Sequence, residues 1–217
     1  MLVTDSIRFG FDFEEDRKTS ALIKQVHGTR IIQIQNEQHA AALIKQREEA
    51  DGVYTTVYEL PIFVFTADCL PIIFYGETAE SPVGVIHCGW RGAKDGIARE
   101  MVRLFARHKT PVHAVLGPAI GPCCFEVRED FIGAFKQSNR PVEPFLENRN
   151  NKLTFNLPAF VVETDLGSLV PSHVHLDHFR CTVCSKPDLP SYRRLGKTDP
   201  RIRTWVKKVT NQAIEHS

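Results

Sequence analysis

The sequence has no long hydrophobic run, almost no net charge, and no basic segment followed by an apolar block near its start. A membrane-spanning helix needs about 20 consecutive apolar residues, and no run here approaches that length. The 27 Lys and Arg residues nearly balance 26 Asp and Glu residues, so the chain has no broad basic field for nucleic acid or anionic lipid. We therefore expect a cytoplasmic protein that acts on a small-molecule substrate, with neither nucleic acid nor membrane as a partner.

Length and composition are those of one globular domain. A chain of 217 residues buries one large core but is short for two typical domains. Its apolar share of 42% and charged share of 24% are close to globular averages. The six cysteines are not spaced like the disulfide framework of a small secreted protein. We therefore expect a single domain over residues 1–217, in which cysteines serve as core thiols, nucleophiles or metal ligands.

Apolar periodicity predicts strands and helices that interleave without a strict β-α-β rhythm. This order favours the α+β class, with one layered domain of mixed β-sheets flanked by helices. The predicted strands are residues 7–13, 21–26, 30–34, 53–57, 62–66, 70–75, 83–87 and 112–116, and the predicted helices are residues 38–50, 95–108, 129–137 and 157–166. Residues 62–66, 70–75 and 83–87 are nearly all apolar, which is typical of strands buried on both faces. Residues 138–151 carry two prolines and four asparagines, so we expect an exposed irregular connection there.

Three residues stand where strand-like runs meet a break: His27, Cys69 and His87. Two imidazoles and one thiolate are the ligand set of a catalytic zinc site, which keeps a fourth position open for water or substrate. Separations of 42 and 18 residues match no compact zinc motif, so spacing alone leaves a second interpretation open. In that interpretation the histidines are ordinary hydrogen-bonded residues and the thiol is inert. Asp68, beside Cys69, is a candidate to orient a ligand histidine or to act as a catalytic acid.

Other residues are candidates for binding. Arg91, between Trp90 and Gly92, is a candidate to hold a phosphate or carboxylate, and a surface ion pair is the alternative. A second group of His and Cys residues could form a structural zinc site, although these ligands are tightly spaced for one ion. The alternative interpretation is that the thiols are buried in the core and the histidines are exposed. The residues of this group are His173, His175, His178, Cys181 and Cys184.

The order of several short motifs resembles the YfiH-like, or laccase-domain, proteins. These proteins are described as purine nucleoside phosphorylases and were once described as multicopper polyphenol oxidases. The motifs are residues 25–28 (QVHG), 50–52 (ADG), 66–71 (TADCLP), 87–92 (HCGWRG), 116–123 (LGPAIGPC), 125–127 (FEV), 181–182 (CT) and 191–194 (SYRR). Because this ordered set covers most of the chain, the resemblance is specific.

The resemblance implies a single layered α+β domain that binds one zinc ion through His27, Cys69 and His87. Copper is the less favoured metal, because multicopper chemistry needs more histidines than these motifs supply. The sequence departs from the family pattern near its start, where residues 9–11 run almost directly into residues 22–27 and a glycine-rich segment is missing. We therefore expect an N-terminal part that is shortened relative to the family.

The resemblance also implies phosphorolysis of adenosine, inosine and 5′-methylthioadenosine, and deamination of adenosine. Deamination suits a zinc site because zinc lowers the pKa of water toward ~7, and Asp68 is the candidate acid for the departing amine. Phosphorolysis needs hydrogen-bond donors that hold phosphate against the sugar. Arg91 is one candidate donor, and Tyr192, Arg193 and Arg194 are the others.

Three other functions stay open. The first is a metal-free hydrolase in which Cys69 is the nucleophile and His87 or His27 is its base. The second is an enzyme that edits cell-wall peptides. The third is a non-catalytic zinc-binding scaffold, in which a fourth protein ligand such as Cys88 or Cys124 closes the metal site.

Overall fold

A computed structural model describes residues 2–4, 6–14, 21–197 and 200–210 of the chain. Within these residues the backbone forms twelve strands and six α-helices. The strands are β1 (Leu2–Thr4), β2 (Ile7–Glu14), β3 (Ile31–Ile34), β4 (Gly52–Thr55), β5 (Ile62–Thr66), β6 (Leu70–Gly76), β7 (Val83–Cys88), β8 (Val112–Leu116), β9 (Leu146–Arg149), β10 (Lys152–Phe155), β11 (Val174–His175) and β12 (Arg201–Lys208). The helices are α1 (Glu37–Gln46), α2 (Trp90–Asp95), α3 (Ile97–Ala106), α4 (Glu129–Gln137), α5 (Leu157–Thr164) and α6 (Tyr192–Leu195).

Two larger sheets and one hairpin contain these strands. The six-stranded sheet has the order β11-β8-β6-β7-β4-β3, and the four-stranded sheet has the order β1-β2-β12-β5. In the six-stranded sheet β3 and β4 are parallel, as are β8 and β11, while the other neighbours are antiparallel. Mixed sheets with helices against them confirm the predicted α+β class.

The six-stranded sheet is the middle of three layers. Because successive side chains on a strand point to opposite faces, β6 sends Leu70, Ile72 and Phe74 toward the helices and Ile73 toward the four-stranded sheet. On β7 the same alternation sends Val85 to the sheet side and Cys88 to the helix side. Burial on both faces explains why these strands are almost continuously apolar.

The first half of the chain departs from its predicted elements in three places. Residues 21–26 are not a strand. Instead the Gln25 amide pairs with the backbone of Phe65 on β5, donating to its carbonyl (2.7 Å) and accepting from its N–H (2.9 Å). Helix α1 ends four residues early because Arg47 takes a left-handed conformation (φ 53°). In place of the single predicted helix 95–108, the chain forms two helices, α2 and α3. They are separated at Gly96, which has φ 86°.

The second half also corrects the sequence predictions. Residues 138–151 do not form an irregular connection, because they include a short 3₁₀ turn, Glu143–Phe145, and strand β9. Asn150 and Asn151 have φ 51° and 61° and form a two-residue hairpin turn between β9 and β10, a conformation that asparagine tolerates well. Strand β12 is not predicted at all, although its buried and partly exposed residues alternate along its full length.

Helix α5 follows its prediction closely. Asn156 precedes it, and its side-chain oxygen accepts a hydrogen bond from Ala159 N (3.1 Å), while Pro158 occupies the first turn. No helix in the described part of the chain has the length and apolar content needed to cross a membrane.

The helix side of the core is centred on Phe155, which is fully buried. Its ring lies 4.9 Å from that of Phe131 and 5.6 Å from that of Phe160, measured between centroids. We expect Phe155→Ala to lower the free energy of unfolding by about 3–5 kcal/mol, because it removes a large side chain that the core cannot refill. Urea denaturation followed by tryptophan fluorescence measures the change.

Leu176→Ala is the control for this substitution, because Leu176 is 49% exposed and its truncation should cost less than about 0.5 kcal/mol. Equal losses in the two variants would contradict this description of the core.

Candidate metal centre and active site

Strand pairing brings Cys69 and His87 together. Cys69 directly precedes β6, and His87 lies on β7, which pairs antiparallel with β6 so that Pro71 is opposite His87. His27 reaches the same point from the loop before β3. The three donor atoms lie within 4.8 Å of one another, and the two imidazole rings meet edge to face with centroids 4.7 Å apart.

Asp51 fixes the position of both histidines. Its carboxylate is fully buried, and Oδ1 accepts a hydrogen bond from His87 Nδ1 (2.8 Å). It also accepts bonds from the backbone N–H groups of Val26, His27 and Gly28, the shortest being 2.6 Å to Gly28. Burial by itself raises the pKa of Asp51, but these hydrogen bonds and the charge of His87 outweigh burial and lower it. An ionised Asp51 can only accept, so His87 donates from Nδ1 and leaves Nε2 directed away from this bond.

Asp68 is not the carboxylate that orients His87. Its Oδ1 accepts from Thr182 Oγ1 (2.5 Å) and its Oδ2 from Arg193 N (2.6 Å), so it bonds the C-terminal segment instead. Asp68 has φ 94°, a left-handed conformation that turns the chain between β5 and β6. The sequence prediction that Asp68 orients a ligand histidine is therefore wrong, and Asp51, which precedes β4, has that position.

Gly89 lets the backbone pass close to the three donors. A Cβ at this position would lie 2.8 Å from His27 Cδ2 and 3.0 Å from Cys69 Sγ. Any other residue would push these side chains apart, so the glycine in the motif 87–92 allows the site to close up.

The negative charge of the Cys69 thiolate and the positive charge of the His87 imidazolium stabilise each other. Burial by itself raises the pKa of the Cys69 thiol, but the positive charge of His87 and hydrogen bonds from both imidazoles outweigh burial and lower the pKa to about 6. Burial by itself lowers the pKa of His87, but the Cys69 thiolate and Asp51 raise it to about 9. Thiolate is the form that binds metals and acts as a nucleophile.

The donor set fits a zinc ion. Zinc prefers tetrahedral coordination by thiolate and imidazole, in which neighbouring donor atoms lie about 3.3–3.6 Å apart. Cys88 is not a fourth ligand, because it points to the helix side of β7 and is fully buried there. Cys124 belongs to a different cluster of thiols. Among the described residues, no fourth His, Cys, Asp or Glu joins the trio.

A cavity of about 580 Å³ opens beside the trio and has aromatic and basic walls. Its aromatic lining residues are Phe65, Trp90, Phe125 and Tyr192, and its basic lining residues are Lys24, Arg47, Arg193 and Arg201. Asp68 is the one carboxylate among the described lining residues. Phe65, Arg47 and Arg201 were not predicted from the sequence, because each lies outside the recognisable motifs and reaches the cavity only through the fold.

The predicted substrate residues separate into two groups. Tyr192 and Arg193 line the cavity, and Arg193 also donates to the carbonyl oxygens of Cys124 and Glu126, both at 3.2 Å. Arg91 and Arg194 are not among the lining residues. Arg91 is exposed and stacks on the Trp90 ring, 4.4 Å from its centroid.

The second zinc site predicted from sequence does not form. His175 lies beside His113, with ring nitrogens 3.1 Å apart, and His173 stacks on His113. His178 packs against Phe9 and Phe11. His173 and His175 therefore group with His113, His178 lies apart from them, and Cys181 and Cys184 join Cys123 and Cys124.

Comparison with known proteins gives the family. A family model described as multi-copper polyphenol oxidoreductase laccase matches residues 8–206. The chain belongs to this family. A relative from Aquifex aeolicus, called purine nucleoside phosphorylase, is 37% identical over 73% of this chain and 70% of its own length. Another relative, from an unknown prokaryotic organism and called adenosine deaminase RL5, is 28% identical over 94% of this chain and 79% of its own length.

Solved structures agree with this assignment to the laccase-domain family. The crystal structure of YlmD from Geobacillus stearothermophilus superposes with a TM-score of 0.74. It shares 28% sequence identity and covers 88% of this chain and 73% of its own.

The role of Asp51 in this laccase-domain protein can be tested with zinc as the probe. We expect Asp51→Asn to weaken zinc binding by about 10- to 100-fold, because the amide NH2 that replaces one carboxylate oxygen cannot accept a hydrogen bond, so either His87 or the loop N–H groups lose an acceptor and the negative charge is lost. Competition against a chromophoric chelator measures the affinity. Asp188→Asn is the control, since Asp188 is an exposed partner of Lys186. Equal affinities in the wild-type protein and Asp51→Asn would show that Asp51 does not orient the metal ligands.

Proposed function

We propose that this chain is a zinc-dependent purine nucleoside phosphorylase that acts on adenosine, inosine and 5′-methylthioadenosine, and that it also deaminates adenosine. The main support is the cavity of about 580 Å³, which brings the trio of His27, Cys69 and His87 together with aromatic and basic side chains. The names of the relatives point to the same two reactions. Cavities of this size are typical of sites for small molecules.

The aromatic walls suit a purine base. Phe65, Trp90, Phe125 and Tyr192 offer flat apolar surfaces, and a purine ring stacks well on such surfaces. Tyr192 is 54% exposed, so it has room to cover a ligand that enters from solvent.

The basic side chains suit phosphate. Arg193 uses N–H groups for two backbone carbonyls, and since a guanidinium carries five N–H donors, three remain for a ligand. Arg201 lies over the Phe65 ring, 4.4 Å from its centroid, and lines the same cavity. We propose that phosphate binds between these two arginines, beside the aromatic surface that holds the base.

Phosphorolysis then requires only alignment and proton transfer. A phosphate oxygen forms a bond to C1′ of the ribose while the bond from C1′ to N9 of the purine breaks. The electron pair of that bond goes to the base, which takes up a proton, and the products are ribose 1-phosphate and the free purine. Asp68 is the acid that we propose for this proton and for the amine that leaves in deamination.

A zinc ion held by the trio would supply positive charge near the substrate or lower the pKa of a water molecule. Asp51 keeps His87 in the orientation that this role requires, and Gly89 keeps the three donors close.

A metal-free Cys–His hydrolase is the second candidate function. One observation favours it: the pKa of Cys69 is lowered to about 6 beside His87, as in an activated nucleophile. In such an enzyme His87 would accept the thiol proton and activity would not need a metal.

The first test is phosphorolysis of inosine by the zinc-loaded protein. We expect hypoxanthine and ribose 1-phosphate to form only when phosphate is present. Cys69→Ala should lose the activity by at least about 100-fold, because it removes a metal ligand, whereas Cys88→Ala should retain it. Chromatography of the products measures both.

Removal of the metal separates the two candidate functions. Activity that disappears with a chelator and returns with zinc supports the phosphorylase. Hydrolytic activity that persists in the metal-free protein and is lost in Cys69→Ala would identify the hydrolase instead. No release of hypoxanthine under any of these conditions would refute the phosphorylase.

The second test locates the phosphate. Hydrogen bonds to charged groups contribute about 1.5–3 kcal/mol, so we expect Arg201→Gln to raise the KM for phosphate by about 10- to 100-fold with a smaller effect on the KM for inosine. Arg107→Gln, at an exposed position after α3, is the control. Arg91→Gln tests the position predicted from sequence: a larger effect there than at Arg201 would place phosphate beside Trp90.

A further inference from the structure

A cluster of four thiols lies outside the trio of the proposed active site. The sulfur atoms of Cys123, Cys124, Cys181 and Cys184 all lie within 4.8 Å of one another, and those of Cys123 and Cys184 are 3.4 Å apart. None of the four is in a disulfide. In a tetrahedral zinc site with four thiolates, Zn–S bonds of about 2.3 Å place the sulfurs about 3.8 Å apart, which lies between the 3.4 Å from Cys123 to Cys184 and the 4.8 Å limit on all pairs.

Two turns bring the four side chains to one point. Cys123 and Cys124 are consecutive, and in an extended strand they would point in opposite directions. The chain turns here instead, because the N–H groups of Cys124 and Phe125 both donate to the carbonyl of Gly121 at 3.0 Å. Cys181 and Cys184 are joined by a second turn, in which Ser185 N donates to Cys181 O (3.1 Å).

Backbone hydrogen bonds hold the two turns against each other. Ala119 N donates to Arg180 O (3.1 Å), and Thr182 N donates to Ala119 O (2.9 Å), so the two segments run side by side like strands. This pairing sets the distance between the two cysteine pairs before any metal binds, and preorganised ligands bind metals more tightly.

The backbone supports negative charge on the Cys181 sulfur. Gly121 N donates to Cys181 Sγ at 3.3 Å. A Cβ at Gly121 would lie 3.2 Å from Cys181 Cβ and 3.3 Å from Cys123 Sγ, so the glycine lets the backbone approach the cluster. N–H groups that point at a sulfur stabilise negative charge there.

We infer that Cys123, Cys124, Cys181 and Cys184 bind a second zinc ion, which is structural and clamps the loop 117–125 to the segment 180–194. Four protein ligands close its coordination, in contrast to the open trio. The site also touches the cavity, since Arg193 donates to the carbonyl of Cys124. The clamp therefore supports a wall of the cavity without taking part in the reaction.

Zinc content is the first test. We expect two zinc ions per purified wild-type chain, one in Cys69→Ala, one in Cys184→Ser and none in the double variant, by elemental analysis after gel filtration. Cys88→Ala, which changes a thiol outside both clusters, should keep two. One zinc in both the wild-type protein and Cys184→Ser would overturn the proposal.

Cobalt gives a second readout that does not depend on activity. In Cys69→Ala, the four-cysteine cluster is the one group of possible metal ligands among the described residues that contains thiolates, so we expect it to give the intense visible bands of tetrahedral cobalt with thiolate-to-metal charge transfer. A weak spectrum of the octahedral type, or no uptake of cobalt, would contradict a four-thiolate site. These results are independent of the phosphorylase proposal, because they hold whatever reaction the trio catalyses.

Alkylation of the wild-type chain covers the case in which a variant does not fold. Cys123 and Cys184 are exposed, so iodoacetamide can reach free thiols there and label them over a long incubation at alkaline pH. We expect mass spectrometry to find both protected in the zinc-loaded protein and both labelled after a chelator is added. Equal labelling with and without chelator, or a disulfide between two of the four residues, would show that no metal binds there.

Discussion

The buried carboxylate of Asp51 is the interaction on which the site depends. It accepts from His87 on β7 and from the N–H groups of the loop that carries His27, so one charged group joins two of the three donors. Such a group is costly to bury unless every oxygen has partners, and here each oxygen accepts at least two hydrogen bonds. His27 has φ 63° and lies in a loop, outside any helix or strand. The hydrogen bonds to Asp51 therefore fix the loop backbone there.

Burial explains which strands could be predicted. Strands β5, β6 and β7 are buried on both faces or nearly so, and their continuous apolar runs mark them in the sequence. Strand β12 buries only one of its faces, and the positions on its other face include Arg201, Arg203 and Lys207. In the sequence these basic residues resemble an exposed tail, and for this reason the strand is not predicted. The hairpin at Asn150 and Asn151 was missed for a different reason: asparagine is common in any loop, and only the flanking alternation identifies the turn.

The candidate site was predicted unevenly for a similar reason. The donors His27, Cys69 and His87 stand at breaks after apolar runs and in motifs that resemble a known family, so they could be found without coordinates. Asp51 lies within one of these motifs, residues 50–52, but nothing in the motif reveals its hydrogen bonds to His87 and to the loop that carries His27. The pairing of Cys181 with Cys123 is not local either, because it depends on how two loops meet across the edge of the sheet.

Asp68 links the trio to the four-cysteine cluster. It accepts from Thr182 Oγ1 and from Arg193 N, and Asp68 and Thr182 adjoin Cys69 and Cys181, one in each group. Residues 176–191 contain no helix or strand, so few regular hydrogen bonds offset the conformational entropy that is lost when this segment is ordered. The segment leads directly to Tyr192 and Arg193, which line the cavity. Ordering a residue costs on the order of 1–2 kcal/mol, and a cross-link that closes a long loop offsets part of this cost. A metal clamp at Cys181 and Cys184 would therefore add a cross-link to the hydrogen bonds that already join residues 180–182 to Ala119, and it would support the bond between Thr182 and Asp68 beside the cavity.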